Sequence, residues 1–110
     1  MDLTTKDHQD GWNALERLFR VGRKDTGQAR RVANFLLAWY NADENGGWDP
    51  TDLWSVDASL AEDMLTVVRL IRDSHSYPDA LGFADEIAAV WSLWRGNQAS
   101  TESDRQAPPL

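Results

Sequence analysis

Apolar residues recur along this chain at the three- and four-residue spacing of helices, and no stretch alternates as a strand would. Trp12, Leu15 and Phe19 fall at i, i+3 and i+7 with Leu18 beside them, while Arg17, Arg20 and Lys24 take the opposite side. Val32, Phe35, Leu36 and Trp39 repeat the pattern in a second run. A third places Leu60, Met64, Val67, Val68 and Ile71 on one face. Leu65 and Leu70 widen that face, which predicts the most buried helix of the set. Phe83, Ile87, Val90, Trp91 and Trp94 form the fourth.

Polar punctuation predicts where these helices start and stop. Gly22 lies near the end of the first. Asp25 as N-cap with Gln28 three residues on reads as a capping box for the second. Gly46-Gly47 stop that helix, and Asp49-Pro50-Thr51-Asp52 restart the chain: Asp caps, Pro suits the first position, and an acid favours the first turn. The restart makes a short helix only, because Asp57 offers another N-cap. Tyr77-Pro78 ends the third helix and Gly96-Asn97 the fourth. The fold predicted is all-α: a compact four-helix domain with a short extra helix at its central corner. Residues 1–9 read as a loose N-terminus, 10–95 as the helical domain, and 96–110 as a disordered tail without apolar periodicity.

Composition narrows the class. A core built from about 85 residues is close to the smallest that stands unaided, and the six tryptophans offer the area such a core needs. Trp12, Trp39, Trp91 and Trp94 sit at core positions, whereas Trp48 and Trp54 flank the corner, where one of them is free to be exposed. The absence of cysteine excludes disulfides and thiolate metal sites. No run of 18 apolar residues and no apolar leader segment is present, so a cytoplasmic protein without membrane contact is expected.

Charge is segregated. Residues 17–31 carry six bases (Arg17, Arg20, Arg23, Lys24, Arg30, Arg31) against Asp25. Residues 43–63 carry seven acids (Asp43, Glu44, Asp49, Asp52, Asp57, Glu62, Asp63) and no base, within a net charge of −7. Such segments either face one another in the fold or meet different partners.

The corner also aligns with a calcium loop. Counting from Asn41 puts Asn41, Asp43, Asn45 and Gly46 at positions one, three, five and six, with Asp49 at nine and Asp52 at twelve. The alignment is closer to a dockerin loop than to an ordinary EF-hand, since position twelve is Asp. Asn at position one, a short acid at twelve and the lack of a second loop all weaken it. Turn and cap chemistry explains the same residues without an ion, so no metal or other cofactor is expected. Asp25-Thr26-Gly27 spells the aspartic-protease triplet, but between Arg23-Lys24 and Arg30-Arg31 at a helix start it reads as a cap. His8 and His75 have no motif around them, and no nucleophile elbow or phosphate loop is present, so no catalytic residue is assigned.

The run 25–39 (DTGQARRVANFLLAW), followed by Gly46-Gly47-Trp48-Asp49 and Asp52-Leu53-Trp54-Ser55-Val56-Asp57, resembles a family of small uncharacterised proteobacterial proteins often encoded on plasmids and integrative elements. The likeness covers residues 14–95. It implies an accessory protein of mobile DNA and brings no catalytic residue. It also rests on Gly46-Gly47 and the Asp-Leu-Trp run more than on Asp43 and Asn45, which counts against calcium.

The leading expectation is a non-enzymatic protein–protein interaction domain, an inhibitor or modulator of host nucleic-acid or defence machinery. Asp43, Glu44, Trp48, Asp49, Asp52, Glu62 and Asp63 would present a phosphate-like surface to a basic host or element-encoded partner. The first alternative is a DNA-binding accessory factor using Arg17, Arg20, Lys24, Arg30 and Arg31. The second is a divalent-cation module at residues 41–52.

Overall fold

In a computed structural model, residues 5–96 are described, with side chains from Gln9 onward. Four α-helices follow one another: α1 (Thr5–Gly22), α2 (Gly27–Asn45), α3 (Ala58–Ser74) and α4 (Ala84–Trp91). A 3₁₀ helix, Pro50–Ser55, forms the corner between α2 and α3, and π-helical turns, Asp79–Phe83 and Ser92–Gly96, bracket α4. The four-helix prediction and the extra corner helix both hold. Helix α1 starts at Thr5, more than a turn before the expected residue 10. Of the predicted tail, all but Gly96 lies outside the described residues.

The apolar spacing builds one core. Ala14, Leu15, Leu18 and Phe19 of α1 meet Val32, Ala33, Leu36 and Leu37 of α2, Met64, Val67 and Leu70 of α3, and Ile87 and Val90 of α4. Each fully buried aliphatic side chain contributes about 1.5–3 kcal/mol relative to exposure. Phe83 closes one end, stacked on Phe19 at 5.1 Å and tilted against Trp12 at 5.2 Å. Gly11 lets α1 and α3 approach closely, since a Cβ there would sit 3.2 Å from Leu70 Cβ.

Helix α3 is not the most buried: three of its residues are buried, against six described residues in each of α1 and α2. Helix α2 has α1 and α4 against it and the corner segment over Phe35, so six of its residues are buried. Helix α3 packs chiefly on α1 alone, which leaves Leu65 and Val68 exposed despite their apolar character. Trp91 is likewise exposed, because α4 buries only its Ile87–Val90 side.

Helix ends also differ from the sequence expectation. Thr26, not Asp25, caps α2, its hydroxyl accepting from Ala29 N at 3.0 Å. Gln28 turns away from the cap: its Oε1 accepts from Asp57 N and its Nε2 donates to Asp57 Oδ2 at 3.3 Å, strapping the start of α3 to the start of α2. Helix α3 ends at His75, in left-handed conformation (φ 54°), before Tyr77-Pro78 is reached.

Candidate functional site

The corner between α2 and α3 is built from its own side chains. Asp49 caps the 3₁₀ helix, accepting from Thr51 N and Thr51 Oγ1 at 2.9 Å each. Thr51's backbone N–H, then its hydroxyl, hold the Asp49 carboxyl below its ordinary pKa. The cap is therefore intact above the ordinary carboxylate value and is lost as pH falls through the lowered one. Leu53 and Val56 pack against the core, one 3₁₀ turn apart. Trp54, displaced a third of a turn, is driven outward and is 85% exposed. Trp48 takes the other role: half-buried, it meets Phe35 edge-on at 4.9 Å and 69°. Its indole N–H is buried without an acceptor among the described residues.

Of the two corner tryptophans, Trp54 is thus the exposed one, while Trp48, expected among the contact residues, is half-buried. Trp54 was available to sequence reasoning through the 53/56 spacing, which obliges the residue between to face away. Asp43, Glu44 and Asp49 are exposed and Asp52 is partly so. Glu62 and Asp63 lie elsewhere, on α3 beside α1, so the seven residues expected to form one surface are split between two places.

The calcium-loop alignment does not fold as a loop. Residues 41–45 belong to α2, with a kink at Asn41 (φ −164°, ψ 90°). Asn41 Oδ1 accepts from Glu44 N at 3.3 Å, and Asn45 Nδ2 donates to Leu37 O at 3.2 Å. The side chains at positions one and five are thus committed to helix ends. Among the described residues no group of three or more His, Asp or Glu converges as a metal site.

The basic stripe is divided as well. Arg17 pairs with Asp63 through two bonds of 2.8 and 2.9 Å, and that hydrogen bonding raises the guanidinium pKa. Arg20 and Lys24 share with Glu62, Asp63 and Ser59 a cleft at one end of the α1–α3 seam. Arg30 and Arg31 sit on α2, where Gln28, Arg31 and Phe35 recur at i, i+3 and i+7 and both flanking residues touch the 48–57 segment. A second seam cleft of about 360 Å³ holds Arg69, Arg72 and Thr66, which sequence reasoning missed, with Asp10, Asn13 and Arg17. Arg72 bonds Asp73 at 2.7 Å and holds that carboxyl below its ordinary pKa.

A family model, described as a family of unknown function (DUF7673), matches residues 12–95. The chain belongs to this family. No curated protein and no solved structure matches it. In this DUF7673 domain the matched span begins and ends on residues that close the fold. Trp12 leans on Phe83, while Arg95 donates to Asn34 Oδ1 at 2.9 Å and to the Asn45 carbonyl at 3.2 Å, satisfying the end of α2. Neighbouring Trp94 donates to Gly22 O at 2.7 Å, satisfying the end of α1. Among the described residues no helix of the DUF7673 domain is long and apolar enough to cross a membrane.

Proposed function

We propose that this DUF7673 domain is a non-enzymatic binding module whose acidic corner captures a basic surface on a partner protein. The observation that carries the reading is Trp54, 85% exposed on a helical turn whose backbone is anchored by Leu53, Val56 and the Asp49 cap. A large exposed aromatic offers contact area to a partner, and tryptophan is among the residues most enriched at binding hot spots. Asp43, Glu44, Asp49 and Asp52 surround the same corner with negative charge, and no base lies between residues 32 and 68. Charge of one sign steers encounter with a basic partner and suits a surface that otherwise meets phosphates. In the setting of a mobile element, that partner is a nucleic-acid-binding or defence protein of the host, which the domain inhibits or modulates.

The arginine stripe supports a nucleic-acid role less well. Arg17 is committed to Asp63, and Glu62 and Asp63 share the cleft of Arg20 and Lys24. The test is affinity capture from the native host with wild-type chain, Trp54→Ala and Asp49→Asn/Asp52→Asn. The expected result is a basic protein whose affinity falls about thirtyfold, roughly 2 kcal/mol, on Trp54→Ala and weakens with added salt. A partner held equally by all three chains would refute the corner as the binding surface.

A further inference from the structure

The kink in α2 opens a groove on this domain. At Asn41 the backbone leaves helical geometry, and the Asn41 side chain starts a final turn by accepting from Glu44 N. Between that turn and the chain leaving α3 lies a cavity of about 510 Å³ lined by Trp39, Tyr40, Asn41, Asp43 and Tyr77, together with Ala38 and Ala42. The volume falls within the range of pockets that hold small ligands or single side chains.

Local bonding fixes the groove's walls. Trp39 Nε1 donates to Ser76 O at 3.0 Å, which orients the indole and ties the segment after α3 to α2. Ser76 is bonded twice to Ser74, and Pro78 is fully buried, so Tyr77 is held at both sides. Tyr77 remains 61% exposed and Tyr40 36%. Neither ring is used by the core, and both line the groove with Trp39.

The chemistry of the lining selects the occupant. Three aromatic residues and one carboxylate, Asp43, line the groove, and no lining residue is a cation. Anions are repelled by Asp43 and its neighbour Glu44. A purely apolar ligand would cover Asp43 without giving it a partner, which costs free energy. A guanidinium meets both demands: its flat face stacks on aromatic rings while its edge donates two parallel hydrogen bonds to a carboxylate. We propose that the groove at the α2 kink receives an arginine side chain of the partner, stacked on the aromatic rings and paired with Asp43. As to whose arginine it is, this rests on the proposed capture of a basic protein; the groove's choice of ligand does not.

The test titrates the full ¹⁵N-labelled chain with acetyl-arginine methylamide and with its lysine and citrulline counterparts, followed by NMR. Arginine should give saturable shifts at the Trp39 indole and at the amides of residues 39–43 and 77, with a millimolar Kd. Citrulline, uncharged but of the same shape, should bind at least about fivefold more weakly, as should arginine to Asp43→Asn or Tyr77→Ala. Both substituted side chains are exposed, so the variants should keep the wild-type helical circular dichroism. No shift with arginine, equal binding of citrulline or lysine, or binding indifferent to both substitutions overturns the proposal. Trp54→Ala separates the two readings: it should leave the arginine titration unchanged while weakening partner binding about thirtyfold. A groove that fails the titration leaves the Trp54 result standing, and a corner that fails leaves the titration standing.

Discussion

Each tryptophan brings an indole N–H that must be placed as well as an apolar ring. Trp94 gives its N–H to the last carbonyl of α1 at 2.7 Å, and Trp39 gives its to Ser76 O at 3.0 Å. Trp48 buries its N–H against no acceptor among the described residues. All three rings are partly buried, yet their N–H groups differ in energy. A satisfied hydrogen bond contributes about 1 kcal/mol, whereas an unsatisfied buried donor costs about 1–3 kcal/mol. Replacement by phenylalanine removes the N–H in each case. Trp94→Phe should therefore destabilise by about 1 kcal/mol or more beyond Trp48→Phe, once the similar loss of ring area is common to both. Urea unfolding of the two variants measures the difference, and an equal or larger loss at Trp48 would contradict it. Neither fate was legible in the sequence. Apolar spacing says which way a ring points, but not whether a carbonyl waits there. It also cannot say whether a second helix covers that side, which is why Trp91 was expected inside and is exposed.

At the scale of elements, periodicity located all four α-helices because burial on one face enforces it. Their joints were less legible, since adjacent residues offered equivalent chemistry. Asp25 and Thr26 are both good caps, and a one-residue shift decided for Thr26. Gln28 could serve a capping box or a neighbouring helix, and Asp57, distant in sequence, decided that. The π-helical turn before α4 had no signal except a glycine. Gly82 there has φ 97°, where an L side chain is strained, although the nearest foreign atom to a built Cβ, Trp12 Cζ2, is 3.8 Å away. The cost of Gly82→Ala is thus conformational rather than steric crowding by neighbours, about 1–2 kcal/mol. Gly82→Asn should recover a good part of that, because asparagine tolerates positive φ. Comparison of midpoints in urea checks the order. Equal stability of the alanine variant and wild type would mean that the turn does not hold this geometry.

For the molecule as a whole, the opposed charges seen along the sequence are partly consumed by folding. Arg17 and Asp63, 46 residues apart, meet across α1 and α3, whereas the acids at the corner meet no described base. The fold therefore divides one acidic segment into a carboxylate paired on α3 and others without an ion pair among the described residues. Exposure of the acids was legible in part: Asp43 and Glu44 lie exposed in the last turn of α2, Asp49 caps the 3₁₀ helix that follows, and Asp52 lies within it. Glu62 and Asp63 do not join them, because the 3₁₀ helix and the Gln28 strap carry the chain back toward the start of α2 before α3 begins. The two groups should separate by experiment. Asp63→Asn should lower stability by about 0.5–1 kcal/mol, the scale of a half-exposed ion pair, and Arg17→Ala should add little in the Asp63→Asn background. It should leave partner association unchanged. Asp43→Asn/Asp49→Asn/Asp52→Asn should slow association about tenfold or more at low salt, and the difference from wild type should shrink as salt screens the field. Association rates by surface plasmon resonance at two ionic strengths, beside urea midpoints for the same variants, give both readings. If Asp63→Asn slowed association as much as the corner variant, the partner would sit on the α1–α3 seam, and the corner would be an ordinary solvated turn.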